Sequence, residues 1–454
     1  MQHNLPPKIV TKRWIFLPVE VKGRELDAKL LLLHFALEKG FGVFLGRNGM
    51  NIGRDPFPRG IYFDKCLSNH KIAFHEHQVE RLGNKLVSFD EEGLLYGSTD
   101  DYQSHRLSKQ SINLSSLVFL WGNKQRALFE PYTSDKSKLV ITGSPRFDLW
   151  QPPLTSLYSS EVASISAKYS SFILVVSNWG FTTSEKESGI DPNLSYDDNP
   201  HSLIRASFLQ LVERLSSEFP DQHIIVRPHP GEREDYWRRT ATLFHNNVHV
   251  IRAGAIGPWI HAAQAVIHNN CTTGLETWMG GLTPIVYAPR LDRFPDYHRY
   301  ALQINDLGVK CETQDAVVDT VKARFNEDKE PRSKRQESII NEYVFRSRNQ
   351  LAVEQIVKHL DDLGVSEEPY RVPHYGALKK LRSATSRLKW RIRDMLGLSG
   401  MYTLEYTLGK NPGIDPTDIR DSLTRYSKHF KTNASSARIR QISADTYCIY
   451  NESP

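Results

Sequence analysis

Cysteine is scarce in this chain. Four occur in 454 residues, at positions 66, 271, 311 and 448, and no two form a CxxC pair. Such spacing builds neither a disulfide framework nor a structural zinc site, and it fits a reducing compartment. Long apolar runs are also missing. Leu30–Leu33 and Phe172–Val176 are core-sized runs, far short of the ~20 residues a spanning helix needs. The opening Met1-Gln2-His3-Asn4 lacks a basic-then-apolar pattern, so the expected location is cytoplasmic. Neither sign of charge dominates: 58 Lys and Arg face 52 Asp and Glu, and a net +6 is too mild to imply nucleic acid. No GxGxxG, GxxxxGK[ST] or HExxH occurs, and no DxD-like acidic pair stands out as a metal clamp. The expectation is therefore chemistry without a metal, in which helix N-termini and side chains meet phosphate charge.

What is present reads as an α/β protein. Hydrophobic content of 39% and charged content of 24% are those of a globular chain, and the length suits two to three domains. Trp14–Val19, Phe41–Leu45, Lys71–Phe74, Lys85–Phe89, Leu117–Trp121 and Leu139–Thr142 read as strands, with a helix over Asp27–Lys39. Gln151–Ser160, with two prolines and clustered Ser and Thr, reads as a linker. The pattern then restarts with strands Phe172–Val176, His223–Val226, Val248–Ile251, Ala265–Ile267 and Pro284–Tyr287 and a helix over Leu203–Phe219. Strands alternating with helices imply two doubly wound parallel sheets, with ligands at the carboxyl ends of the strands. The expected domains are 1–150, 165–330, a packing helix within 331–365 (Asn341–Leu360), and a basic extension over 366–454.

Several motifs sit at such strand ends. Arg227-Pro228-His229-Pro230-Gly231-Glu232 follows a strand, and its two prolines restrict the loop. His229 and Arg227 there suit a phosphate leaving group; a rigid loop with a capped histidine is the alternative. His268-Asn269-Asn270-Cys271-Thr272-Thr273-Gly274-Leu275-Glu276 opens a helix. Thr272 and Thr273 at a helix start favour an anion, or are plain N-caps. Gly274 would let a ligand approach the backbone, and Glu276 would accept from ribose hydroxyls or face solvent. Asp90-Glu91-Glu92-Gly93 places three acids in a row, candidates for removing a proton from an acceptor hydroxyl or simply a solvated turn. Thr142-Gly143-Ser144-Pro145-Arg146-Phe147-Asp148 ends the first block, where Arg146 and Asp148 either face a cleft or pair with each other. Asn178 follows the first strand of the second block, and Glu20 and Arg24 follow the first strand of the chain.

Together these blocks resemble the bacterial surface carbohydrate (surface polysaccharide) biosynthesis proteins. WIFLPVEVKGRELDAKLLL, SFDEEGLLYG, ITGSPRFDLW, VRPHPGE and HNNCTTGLETWMGGLTPIVYAP look like that family's blocks in order, over roughly residues 12–325. A wider resemblance is to GT-B sialyltransferases and Kdo transferases, whose acid-acid-Gly, His-Pro and Ser/Thr-pair motifs match Glu91-Glu92-Gly93, His229-Pro230 and Thr272-Thr273. It implies a GT-B fold of two Rossmann-like domains facing a cleft, a CMP-linked sugar donor and no separate cofactor. It also implies Glu91 as base, with His229, Thr272 and Thr273 on the CMP phosphate. The acceptor would be a cell-surface polysaccharide or lipid-linked glycan. Asp90 is a third acid outside that pattern and leaves open which carboxylate reacts. The GSPRFD and His-Pro blocks also look like those of CDP-glycerol glycerophosphotransferases, so a CDP-polyol phosphotransferase is the second expectation. A non-catalytic assembly protein on the same scaffold is the third.

The charge belongs to one segment. Ala377–Leu398 holds Lys379, Lys380, Arg382, Arg387, Lys389, Arg391 and Arg393 against Asp394, and the remaining chain has 51 basic and 51 acidic residues. Leu378, Leu381, Leu388, Ile392 and Met395 form a stripe at helical spacing. Either the stripe docks the helix on the protein, or the helix lies on an anionic inner membrane with Trp390 as an interfacial aromatic, each basic residue adding about 1 kcal/mol.

Overall fold

The computed structural model describes residues 8–47, 57–93, 98–178, 200–295, 297, 302–326, 333–347, 349–373, 375–398 and 403–452. Two compact units emerge: Met1–Gly93, Thr99–Asp148 and Asn341–Pro454 form the first, and Leu94–Ser98 with Leu149–Ile340 the second. Among the described residues no helix is long and apolar enough to cross a membrane.

Unit 1 begins with β1 (Ile9–Val19), β2 (Phe41–Arg47), β3 (Gly60–Asp64), β4 (Lys85–Phe89), β5 (Ser115–Leu120) and β6 (Leu139–Ile141). They pair in parallel in the order β2-β1-β3-β4-β5-β6. Their continuous burial, as in β3 and β4, is that of strands covered on both faces. The 17-residue helix Lys22–Glu38 follows β1 and begins five residues before the expected Asp27. Val21 offers no side-chain cap there. Glu25 reaches back instead, accepting the N–H groups of Glu20 (2.9 Å) and Val21 (3.2 Å). Lys71–Phe74 is not a strand: it spans the end of a 3₁₀ turn and the helix Ile72–Glu76. Four residues are too few for periodicity to separate the two states.

Unit 2 holds β7 (Phe172–Val176), β8 (His223–Arg227), β9 (Val248–Val250), β10 (Ala265–His268), β11 (Ile285–Tyr287) and β12 (Val309–Cys311). All six are parallel, in the order β12-β11-β10-β7-β8-β9. The helix Pro200–Glu218 lays Ile204, Phe208, Leu211, Val212 and Leu215 on this sheet, each fully buried. At about 1.5–3 kcal/mol per large side chain, this stripe is a main source of the unit's stability. The expected linker 151–160 is helical in its second half: a 3₁₀ turn at Leu154–Tyr158 runs into the helix Ser159–Tyr169.

The chain then returns to unit 1, which corrects the expectation of a separate extension over 366–454. β13 (Glu368–Arg371) pairs antiparallel with the first residues of β1. β14 (Arg438–Ser443) and β15 (Thr446–Tyr450) form a hairpin that extends the sheet beyond β2. The helix Pro416–Phe430 packs on Lys22–Glu38, where Phe430 meets Phe35 at 4.9 Å and the Tyr426 hydroxyl donates to the Asp27 carbonyl (3.1 Å). The expected single helix Asn341–Leu360 is broken into Lys334–Tyr343 and Ala352–Asp362. Between them the Phe345 N–H donates to the Trp121 carbonyl at 2.6 Å.

Candidate active site

β4 ends at Phe89, and Asp90–Gly93 turn away at its carboxyl end. The three acids have different surroundings. Asp90 is buried and accepts from the Tyr102 hydroxyl (2.6 Å) and the Glu92 N–H (2.9 Å), while Arg106 pairs with it. Its carbonyl accepts the Trp121 indole N–H at 2.6 Å. Asp90 therefore fixes the turn. Glu92 lies between Arg24 (2.8 Å) and Arg106 (2.9 Å). Burial opposes its ionisation, but the two arginines prevail and hold its carboxyl well below the usual carboxylate range.

Glu91 is different. It lines a pocket with Lys29, Asp64, Lys65, Phe89 and Pro145, and its carboxylate lies 3.5 Å from Lys29 Nζ. Burial pushes the Glu91 carboxyl above its ordinary value; Lys29 pulls it back, and the nearby Glu25 charge adds to the rise. Lys29 also binds the Glu25 carboxylate (3.1 Å) and the Pro18 carbonyl, so its ammonium is fixed. Asp64, at the end of β3, accepts from the Lys65 N–H (2.6 Å) and Lys71 (2.5 Å) and lies 2.8 Å from His75 Nε2. His75 Nδ1 is 2.9 Å from the Ser111 hydroxyl. This Asp–His–Ser row has triad-like contacts, but His75 and Ser111 are fully buried, so it braces Asp64 and presents no nucleophile.

The residues expected at a cleft serve unit 1. Glu20 pairs with Lys65 and with Lys410 (3.0 Å), and Arg24 with Glu92 and Glu25. Arg146 donates to the Glu91 carbonyl at 3.1 Å. The Asp148 carboxylate accepts the N–H groups of Ala352 and Val353, both at 2.9 Å, at the start of the helix Ala352–Asp362. Burial pushes its carboxyl up to about 7 against the pull of those donors. Gly143 has φ +79°, and a Cβ there would fall 2.3 Å from the Phe345 carbonyl. The GSPRFD block thus receives the returning chain.

In unit 2 the His229 N–H donates to the Ser177 hydroxyl (3.0 Å), and its ring Nδ1 accepts the Gly231 N–H (3.1 Å). The neutral imidazole therefore carries its proton on Nε2. Ser177 in turn donates to Glu232 (2.6 Å), which also accepts the Trp237 indole N–H (2.7 Å). Arg227 does not behave as a free phosphate ligand. Its guanidinium donates to the carbonyls of Ala253 (2.5 Å) and Gly254 (2.8 Å) under the Trp259 ring, and burial lowers its pKa to about 10. The Pro230 carbonyl accepts from Arg252 at 2.5 Å.

After β10, Asn270 takes a left-handed φ of 45°. The Asn178 amide donates to its carbonyl (2.9 Å) and the Asn305 amide to its side-chain oxygen (2.7 Å). The helix Thr273–Met279 begins there, and Thr272 makes no side-chain cap bond, so it is not a plain N-cap. The Thr273 hydroxyl receives the Cys271 thiol at 3.3 Å, and Glu276 is buried rather than solvated. Gly274 is small for a reason other than the expected one. A Cβ at this position would fall 2.3 Å from Cε1 and Nε2 of His268, so the imidazole and not a ligand fills the space. His268 is fully buried, neither ring nitrogen has a hydrogen-bond partner among the described residues, and burial lowers its pKa to about 4, keeping it neutral. Gly274→Ala should cost about 1–3 kcal/mol of unit 2 stability, with partial recovery in Gly274→Ala/His268→Ala, as read by chemical denaturation.

Sequence reasoning missed Lys29, Asp64, Lys65 and Arg106, and took Glu25 only as part of the charged block Glu20–Leu26. Glu25 and Lys29 carried a signal, the i,i+4 opposite-charge pair of one helix. Arg106 stands 16 residues from Asp90 in the helix Thr99–Arg106, and no local pattern links them.

No family model and no curated protein matches the chain. Among solved structures it is similar to a variant of the wall teichoic acid polymerase TagF, with a TM-score of 0.52 and 9% identity over 77% of this chain and 88% of that one. TagF soaked with CDPG gives 0.51, again at 9% identity over 77% and 88%. The fold is GT-B. The UDP-GlcNAc 2-epimerase of Methanocaldococcus jannaschii, in complex with UDP-GlcNAc and UDP, aligns at 0.49 with 11% identity over 77% and 99%. At these identities the likeness is one of fold, and the GT-B scaffold leaves the chemistry to be argued from the side chains.

Proposed function

We propose that this protein is a GT-B transferase that moves a group from a nucleotide-activated donor to a surface-glycan acceptor, with Glu91 as the base. The observation that carries this reading is the contrast within the acid turn. Asp90 and Glu92 are held by Arg106 and Arg24, whereas Glu91, beside Lys29, lines a pocket and has its pKa raised by burial. A base works best with a pKa near the working pH, so the rise favours this role. The donor we infer is a CMP-linked 2-keto sugar acid of the Kdo or nonulosonic type, and the acceptor a polysaccharide or lipid-linked glycan. An acceptor hydroxyl loses its proton to Glu91 and attacks the anomeric carbon as the bond to CMP breaks. The leaving phosphate needs its charge met. The Nε2–H of His229 and the hydroxyls of Thr272 and Thr273 supply donors for it.

The likeness to TagF soaked with CDPG favours a second reading, transfer from a CDP-polyol, in which the same phosphate donors serve and the acid turn is dispensable. A panel of CMP, CDP, UDP, CMP-sugars and CDP-glycerol separates the readings by thermal shift and turnover. The first reading expects a shift with CMP and turnover of a CMP-sugar, and His229→Ala should weaken CMP about 10–100-fold. Turnover of CDP-glycerol selects the second. No shift with any nucleotide at millimolar concentration leaves a non-catalytic scaffold.

A further inference from the structure

Five of the eight exposed large apolar side chains among the described residues fall within eleven positions: Leu388, Ile392, Met395, Leu396 and Leu398. Leu388, Ile392 and Met395 lie on the helix Ala377–Met395 at spacings of four and three, which aligns them on one stripe. With 100° per residue, Lys389 borders this stripe on one side and Arg391 on the other, with Arg393 and Arg387 one step further round, all exposed. The opposite arc holds Trp390 and Asp394, the half-buried positions of residues 384–398. Asp394 accepts the Leu404 N–H at 2.7 Å, and at the helix edge Arg387 reaches Asp445 at 3.3 Å. The helix is therefore held through its polar side and turns its apolar side outward. Over Leu388, Ile392 and Met395 the stripe does not dock the helix, which corrects the first sequence expectation, and Trp390 lies on the opposite arc; the side chains of Leu378 and Leu381 lie outside the described ones.

Charge decides what covers the stripe. Cations flank it on both sides, so pairing with a second copy of this helix would set like charges against each other across the seam. Nucleic acid would meet the cations but leave the apolar stripe between them uncovered. An anionic bilayer satisfies both, taking the apolar side chains at the boundary of headgroups and acyl chains and the cations at the headgroups.

We infer that residues 384–398 form a docking surface for an anionic lipid membrane. This is independent of the catalytic reading, because binding is measured without turnover. The test is co-sedimentation of the full chain with vesicles of phosphatidylcholine, with and without phosphatidylglycerol. Wild type should pellet with the anionic vesicles, not with phosphatidylcholine alone, and should be released by salt. Leu388→Gln/Ile392→Gln/Met395→Gln and, separately, Lys389→Gln/Arg391→Gln/Arg393→Gln should each bind at least about tenfold more weakly. Circular dichroism and thermal midpoint should stay unchanged, since these side chains are exposed. No pelleting of wild type, equal pelleting with neutral vesicles, or retained binding in both variants overturns the proposal. So does a dimer in light scattering that the Leu388→Gln variant abolishes.

Discussion

Glu91→Gln should lower turnover by about 10²–10⁴-fold while the protein stays folded. The amide keeps the shape of the side chain and removes the proton acceptor. Burial already disfavours the Glu91 carboxylate, so replacing it with a neutral group should cost the fold little. The same rise gives a pH dependence with a definite sign. A base must be ionised, so kcat/KM of the wild type should climb with pH through the pKa of Glu91. That limb should lie above the ordinary glutamate value of about 4.3. Glu91→Gln should lose the limb. Steady-state rates across pH 4–9 read both effects.

Arg106→Met should destabilise unit 1 by about 3 kcal/mol. Among the described residues Arg106 is the one cation that pairs with both Asp90 and Glu92. Removing it leaves buried Asp90 with the Tyr102 hydroxyl and one backbone N–H among its named partners, and leaves Glu92 with Arg24. Those remaining contacts keep the loss at the lower end of the range for broken buried pairs. The sign with pH follows from Glu92. Its folded pKa is depressed, so its stabilising contribution is present above the unfolded value near 4.3 and is lost as pH falls toward the folded value. The gap between wild type and Arg106→Met should therefore be widest near pH 7 and narrow below about pH 4. Denaturant midpoints at several pH values measure it, and activity should fall with the ordering of the turn.

Both doubly wound sheets are legible in the sequence because their central strands are continuous apolar runs; Phe172–Val176 is read to the residue. The hairpin β14–β15 is not. Its outer strand, Arg-Ile-Arg-Gln-Ile-Ser, is half exposed and charged, and its place beside β2 depends on a pairing some 400 residues apart. β3 escapes for a related reason: five residues after Pro58-Arg59 give no period to count. At the site, the acid turn, His229 and the Thr pair are visible as motifs at strand ends. What each acid does is not visible, since Asp90, Glu91 and Glu92 differ in the cations and donors that tertiary packing brings to them. Those cations come from two helices, Lys22–Glu38 and Thr99–Arg106. Gly274 shows the same limit: its neighbour His268 becomes its reason only once the helix turns back over β10.

Asp90→Asn, Glu91→Gln and Glu92→Gln compared in one assay, with nucleotide release and thermal midpoint read together, test the role of Glu91 directly. Glu91→Gln should be inactive with a wild-type midpoint, while the other two lose midpoint and keep activity in proportion to the folded fraction. A folded Glu91→Gln that releases nucleotide at the wild-type rate would contradict that role.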